Sequence, residues 1–343
     1  MEINEAQLIP NLAILGMFAF SGFLLSMIIT PVYTHFAYKH RWWKQVKDTA
    51  IDGKKAPVFH KLHAAKHKRN IPTMAGITIW LTVALITFLF NFNRSETWLP
   101  LFTLVVMGLL GVIDDWFNIR SKGGIAGVKS HLKIIWTTIA ASVGAWWFYD
   151  KLEWSSIHVP AFGNIEIGWL YIPLFVFIVL ATSNSVNITD GLDGLSGGLL
   201  TFSFGAFSII SLFVGQFWLS AFCLTIVGAL ITYTWFNIYP ARFFMGDTGA
   251  ISLGATLGVV ALLTNSVLVL PIIGFVFMSE TLSVIIQLLS KKLRNGKKIF
   301  LSAPIHHHFE AKGWPETKVT MRFWIIGMVS AVLGVIIGIL GRG

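Results

Sequence analysis

The sequence is short of charge. Asp, Glu, Lys and Arg make up only 12% of its 343 residues, while 55% are hydrophobic. A soluble domain carries roughly 25% charged residues, so this scarcity excludes an ordinary water-soluble fold and points to a polytopic membrane protein. Cysteine is nearly absent: the lone Cys223 allows no internal disulfide and leaves the redox compartment unread. No internal repeat stands out, and no stretch reads as a separate soluble unit, so residues 1–343 are expected to form one integral membrane domain. The opening "MEINEAQLIPN" has no basic n-region, and the first apolar run is therefore expected to be a retained span rather than a cleaved signal. Strict apolar–polar alternation is also missing from the long runs, which argues for helices over a barrel.

What the chain has instead is apolar length. Ten runs lie near 12–34, 73–91, 98–113, 132–149, 169–186, 198–214, 217–236, 249–264, 267–289 and 323–340. A spanning helix needs about 20 mostly apolar residues. The expected fold is all-α, with ten transmembrane helices and both termini periplasmic. In that arrangement the inner loops 35–72, 114–131, 187–197, 237–248 and 290–322, with the adjoining Lys133, hold 23 of the 26 Lys and Arg. The outer segments keep Arg94, Lys151 and Arg342. That asymmetry is the positive-inside pattern. The net charge of +10 suits anionic headgroups and a phosphorylated ligand. No base-stacking motif interleaves with the basic loops, so nucleic acid is not an expected partner. Loop 150–168 alternates near 157–167 and predicts a short hairpin. Trp146, Trp147, Trp154 and Trp169 fit an interfacial aromatic belt.

Against this background the acids stand out. Every Asp except Asp150 falls on the inner side of the arrangement. A carboxylate at a bilayer centre costs about 2.5–3.5 kcal/mol, so these groups need a wet edge, a cation or basic partners. "GVIDDWFN" (111–118) ends an apolar helix with Asp114 and Asp115. Helical neighbours point about 100° apart, so one is expected to hold a metal or proton while the other braces a basic residue. A solvated helix end is the plain alternative. "NSVNITDGLDGLSGG" (184–198) places Asn187 and Asp190 on one helix face, followed by Asp193 and four glycines that permit close approach of a ligand. Asp193 or Ser196 could instead cap the next helix.

"WFNIYPARFFMGDTGAISLGA" (235–255) offers an amide, an aromatic face and a carboxylate in Asn237, Phe244 and Asp247. These suit a nucleobase or a metal-bound phosphate, with an N-cap role for Asp247 as the alternative. "APIHHHFEAKGW" (303–314) carries His306, His307 and His308. Adjacent histidines rarely converge on one tetrahedral ion, so a phosphate or sugar contact with Glu310 as orienter is preferred over zinc or a solvated loop. "HKLHAAKHKRNIPTMAG" (60–76) supplies Lys61, Lys66, Lys68 and Arg69, which read as a lipid anchor or a phosphate clamp. Lys133, with Lys129 and His131 one turn earlier, would be a second arm of that clamp. Scattered carboxylates with basic clamps on an apolar bundle suit phosphoryl transfer to a lipid acceptor, with magnesium bound by one or two carboxylates and substrate phosphates. A transporter would show repeats and midplane charges, and an Asp-rich prenyltransferase a wider Asn/Asp spacing.

These motifs together resemble the polyprenyl-phosphate N-acetylhexosamine-1-phosphate transferases. The closest resemblance is to their phospho-N-acetylmuramoyl-pentapeptide transferase branch. It runs from about 68 to 325, through "PTMAG", "GVIDDW", "SNSVNITDGLDGLSGG", "WFNIYPARFFMGDTGAISLGA", "ETLSVIIQ" and "APIHHHFEAKGWPETKVTMRFW". The histidine run discriminates this branch from its sugar-phosphate relatives. The resemblance implies an inner-membrane enzyme with ten helices and a cleft facing the cytoplasm. It implies that UDP-N-acetylmuramoyl-pentapeptide and undecaprenyl phosphate give lipid I and UMP with Mg²⁺; a relative using another UDP-sugar, such as UDP-N-acetylglucosamine, is the alternative. A homodimer is compatible with it.

Carried over residue by residue, the resemblance makes Asp247 the magnesium ligand and Asp114 and Asp115 the acidic pair near the phosphates, Asp114 being the base. It makes Asn187, Asp190, Asp193, Asn237 and Phe244 the uridine side, Lys68 and Lys133 phosphate contacts, and His306, His307 and His308 substrate contacts beside the cleft. The sequence departs from the pattern at Asn70, Ile71 and Ala75, where the branch has Gly, Thr and Gly, and at Thr137, where it has Gln. The spacing upstream of Pro72 also differs, which leaves Lys66, Lys68 and Arg69 as alternatives for one phosphate contact.

Overall fold

The structure, a computed structural model, describes residues 5–43, 70–120, 128 and 130–342. Lys61, Lys66, Lys68, Arg69 and Lys129 lie outside the described residues.

The chain is mainly helical, and each apolar run lies on a helix. In order these are α1 (Glu5–Lys39), α2 (Gly76–Phe90), α3 (Trp98–Arg120), α4 (Ser130–Trp146), α5 (Tyr171–Thr189), α6 (Leu195–Phe213), α7 (Phe217–Asn237), α8 (Asp247–Leu263), α9 (Leu270–Ile273), α10 (Phe275–Leu293), α11 (Ile305–Ala311) and α12 (Glu316–Leu340). The run 267–289 divides into α9 and α10 at Gly274. Pro271 suits the first turn of α9, and glycine is a poor helix former. Among the described residues six helices are long and apolar enough to cross a membrane: Ile9–Lys39, Trp98–Arg120, Gly168–Thr189, Leu195–Phe213, Phe217–Asn237 and Glu316–Leu340. Gly76–Phe90 and Asp247–Leu263 are shorter apolar helices.

Helix α8 is the axis of the bundle. Nearly all of it is buried, with α3 and α5 packed along it. It is apolar all round because it meets protein on every side. Helices α1 and α12 are equally apolar but turn Phe20, Ile28, Ile325 and Val332 outward, as a span facing lipid does. The two ends of α8 then have different tasks. At its C-terminal end a hairpin pairs β1 (Ser156–Val159) antiparallel with β2 (Gly163–Glu166), Ser156 opposite Glu166, where the alternation predicts one. Its His158 N–H donates to Asn265 Oδ1 at 2.8 Å, and the His158 ring lies 3.1 Å from the Gly341 carbonyl. Exposed Trp146 and Trp169 flank this end, while Trp147 and Trp154 pack on the core. The N-terminal end of α8, about 25 Å away at 1.5 Å per residue, begins at Asp247 and carries the polar side chains.

Candidate active site

The backbone at the start of α8 is built to face polar groups. Gly246 precedes the helix with φ of 73°, a conformation glycine adopts without cost. A Cβ there would run into Asp115 Oδ2 and Thr73 Oγ1. The 241–246 loop is fixed by segment 72–76: the Phe244 N–H donates to the Pro72 carbonyl at 2.8 Å, and the Ala75 and Gly76 N–H groups donate to the Phe244 and Met245 carbonyls at 3.0 and 2.9 Å. Buried Tyr33 holds the same segment through its hydroxyl, which donates to the Thr73 carbonyl at 2.7 Å. Asp247 thus starts a helix whose unpaired N–H groups and dipole favour negative charge.

Three carboxylates meet at this point. One oxygen each of Asp114, Asp115 and Asp247 lies within 4.8 Å of the others. The residues are 6%, 2% and 9% exposed, so their charges need compensation. Lys133, from α4, supplies part of it. Its Nζ lies 2.6 Å from Asp114 Oδ2 and 2.5 Å from Asp247 Oδ2. The second oxygen of Asp114 accepts from the Val128 N–H at 2.6 Å. The second oxygen of Asp247 accepts from Asn187 Nδ2 at 3.0 Å. Asp115 turns the other way, and its Oδ2 accepts from the Thr248 N–H at 3.0 Å and hydroxyl at 2.7 Å. The helical neighbours Asp114 and Asp115 therefore have different partners, yet each leaves an oxygen in the cluster. The all-carboxylate donor set fits a hard divalent cation. Among the described residues no other group of three or more His, Cys, Asp or Glu gathers so closely.

Residues 187–196 divide between this cluster and a second network. Helix α5 ends at Thr189 and Asp190 follows it with ψ of 49°. The single helix face expected for Asn187 and Asp190 therefore ends between them. Asn187 reaches Asp247, while Asp190 accepts from the Ser196 hydroxyl at 2.5 Å. Neither Asp193 nor Ser196 forms a side-chain cap on α6. Asp193 accepts from the Ala241 N–H at 2.9 Å. Asn237 accepts from the Gly194 N–H at 2.9 Å and donates to the Phe243 carbonyl at 2.7 Å. Asp193 and Asn237 are each 2% exposed, and these bonds join the α5–α6 turn to the loop before α8. The structure does not bring them into the carboxylate cluster. Phe244 is half-buried beside it in sequence.

The three histidines sit on the short helix α11 and diverge. His306 Nδ1 lies 3.0 Å from Glu280 Oε2, with both residues fully buried. His307 Nδ1 lies 2.6 Å from Glu310 Oε2, the orienter the sequence suggests. His308 Nδ1 accepts from the Leu301 N–H at 3.1 Å. Partial burial and nearby Lys312 lower the His308 pKa below its usual value. The three side chains thus have separate partners. Two residues escape sequence reasoning. Thr248 follows a conspicuous Asp and reads as helix start. Glu280 is a lone acid within an apolar helix, and that oddity is its available signal.

Comparisons with known proteins give the family of the chain. The profile described as Glycosyl transferase family 4 matches residues 97–265, a stretch that includes all three clustered carboxylates and Lys133. The phospho-N-acetylmuramoyl-pentapeptide-transferase of Chloroflexus aggregans is 39% identical over 98% of this chain and 92% of its own length. Proteins of the same name from a Geobacillus species and from Bacillus anthracis are each 37% identical, covering 92% and 93% of this chain and 95% and 96% of theirs. At that identity along almost the whole chain, this protein belongs to the phospho-N-acetylmuramoyl-pentapeptide transferase family.

Proposed function

We propose that this chain transfers phospho-N-acetylmuramoyl-pentapeptide from UDP-N-acetylmuramoyl-pentapeptide to undecaprenyl phosphate. The products are lipid I and UMP, and the reaction is the first membrane step of peptidoglycan synthesis. The observation that carries this reading is the gathering of Asp114, Asp115 and Asp247, in a chain 37–39% identical to transferases of that name. In this reading the chain is one ten-helix domain of a bacterial inner membrane, with periplasmic termini and a cleft facing the cytoplasm. The weight of Lys and Arg in the inner loops supports that orientation.

The donor set suits Mg²⁺. Asp247 would hold the ion, beside Asp114 and Asp115, and the ion when bound would neutralise charge on the transferring and leaving phosphates. The chain's own residues do the rest. Lys133 Nζ sits between Asp114 and Asp247 and keeps their charges from repelling each other. It also presents a cation to substrate phosphate. Asn187 fixes one oxygen of Asp247, and Thr248 fixes one oxygen of Asp115. Asp114 Oδ2 takes the proton of the acceptor phosphate. That phosphate's oxygen forms a bond to the sugar-linked phosphorus as the bond to UMP breaks.

Asp190 and Phe244 face the uridine, while Asp193 and Asn237 hold the turn and the loop that carry them. His307, oriented by Glu310, and His308 contact substrate beside the cleft, with His306 behind them. Lys68 supplies a further phosphate contact on the strength of the resemblance.

The test is UMP release in detergent with both substrates and Mg²⁺. Release is expected that stops when any of the three is omitted, and that does not occur with UDP-N-acetylglucosamine. No release from the complete mixture would refute the reading. Release from UDP-N-acetylglucosamine instead would move the chain to a related sugar-phosphate transferase.

A further inference from the structure

A carboxylate and an imidazole are buried together away from the carboxylate cluster. Glu280, between Ser279 and Thr281 on α10, is 0% exposed, as is His306 on α11. An unpaired charge in such a place is strongly unfavourable. Glu280 Oε2 lies 3.0 Å from His306 Nδ1, within ion-pair distance though not aligned for a ring hydrogen bond, and accepts from the His306 backbone N–H at 3.5 Å. Next to Glu280, the Thr281 hydroxyl donates to the Ser185 hydroxyl on α5 at 2.8 Å. The pair therefore fixes α11 to α10, close to where α10 touches α5.

The opposite edge of the same ring has a second task. His306 Nε2 faces Gly191, where an added Cβ would stand 2.5 Å from that nitrogen and 2.9 Å from Cε1. Real Cβ atoms do not approach so closely, so the ring occupies the room glycine leaves. Gly191 directly follows Asp190 and lies four residues after Asn187, the partner of Asp247. The orientation of His306 thus sets the position of the α5–α6 turn.

We infer that Glu280 is a positioning residue: by holding the His306 ring against Gly191, it fixes the turn that follows Asn187 and carries Asp190, and so tunes the grip on the nucleotide. This inference rests on the transferase reading above. The mechanism there gives Glu280 no contact with substrate, so its removal acts through His306.

The experiment measures nucleotide KM and kcat for Glu280→Leu, Glu280→Gln, Gly191→Ala, His306→Ala and the Gly191→Ala/His306→Ala double variant. Binding of UDP-N-acetylmuramoyl-pentapeptide by calorimetry and thermal unfolding are followed for each. Glu280→Leu is expected to raise KM about tenfold with kcat reduced less than about threefold. Glu280→Gln keeps an oxygen acceptor for the His306 backbone N–H, and a side chain of the same shape beside the ring, and is expected to stay within about threefold of wild type. Gly191→Ala is expected to raise KM on the same scale, and to add nothing once His306→Ala has emptied the space.

A Glu280→Leu protein that is folded and binds the nucleotide as wild type does would overturn the inference. So would a loss of kcat that merely follows the folded fraction with KM unchanged. If Glu280→Leu does not fold, the Gly191 and His306 cycle decides, and additive effects there refute the inference. A wild-type protein that binds no nucleotide would bring down the transferase reading, and the inference with it. Wild-type binding alongside unchanged variants would bring down the inference alone.

Discussion

Two polar networks sit side by side at the same end of this bundle, and they are satisfied in different ways. In the first, Asp114 and Asp247 meet the side chains of Lys133 and Asn187, with one backbone partner, the Val128 N–H, on the other oxygen of Asp114. In the second, Asp193 and Asn237 meet backbone groups of Ala241, Gly194 and Phe243. A backbone partner is fixed by the fold and cannot be exchanged without moving a loop. A side-chain ammonium can rotate away, leaving its place to a metal ion and turning to meet a phosphate. Two buried carboxylates can therefore have unequal work, and the partner separates them. Asp115 stands between the two cases, because Thr248 holds it through both a backbone N–H and a hydroxyl.

The largest effect should come from the first network. Asp247→Asn removes the charge that faces both Lys133 and the proposed ion. UMP release is expected to fall roughly 10³-fold, on the scale of losing a preorganised electrostatic group, with thermal unfolding little changed. Near-wild-type release would erase the distinction between the networks. Lys133→Met comes next. It leaves Asp114 and Asp247 without their shared ammonium, and turnover is expected to drop about 100-fold. The same variant should bind Mg²⁺ more tightly in calorimetry, because a competing cation is gone; weaker binding would contradict the exchange of partners described here.

The second network should answer in stability instead. Asn237→Ala leaves the Gly194 N–H and the Phe243 carbonyl unpaired in a buried setting, at a cost of about 1–3 kcal/mol. The thermal midpoint should fall, and nucleotide KM should shift less than it does on loss of Asn187. A variant that unfolds normally but loses nucleotide affinity would place Asn237 with the first network. The smallest effect is expected for Thr248→Val, which removes the hydroxyl's bond to Asp115 for about 0.5–1.5 kcal/mol. Thr248→Ser should restore it, and a Thr248→Val protein as impaired as Asp247→Asn would move Asp115 wholly into the exchangeable set.

Much of this was legible in the chain. Each of the ten apolar runs lies on a helix, and the alternation at 157–167 forms a hairpin. Hydropathy and alternation are local properties, so they survive the choice of tertiary partners. Asp114, Asp115 and Asp247 were readable as a group because charge in an apolar chain is costly anywhere. Other features were not legible. The break at Gly274 depends on how α9 and α10 pack. The separate destinations of Asn187 and Asp190 depend on α5 ending one residue sooner than a shared face requires. The three histidines look equivalent in sequence, yet they meet Glu280, Glu310 and the Leu301 N–H.

The sequence by itself determined that this is an apolar helical chain and which residue types could carry charge chemistry. Composition and periodicity fix solvent preference residue by residue, with no reference to distant parts of the chain. Only the tertiary structure decided which carboxylates share Lys133, which are tied to backbone amides, and that Glu280 is joined to His306 across 26 positions of sequence. Those choices belong to packing between helices far apart in the chain, where a few tenths of an ångström separate a hydrogen bond from an unpaired buried charge.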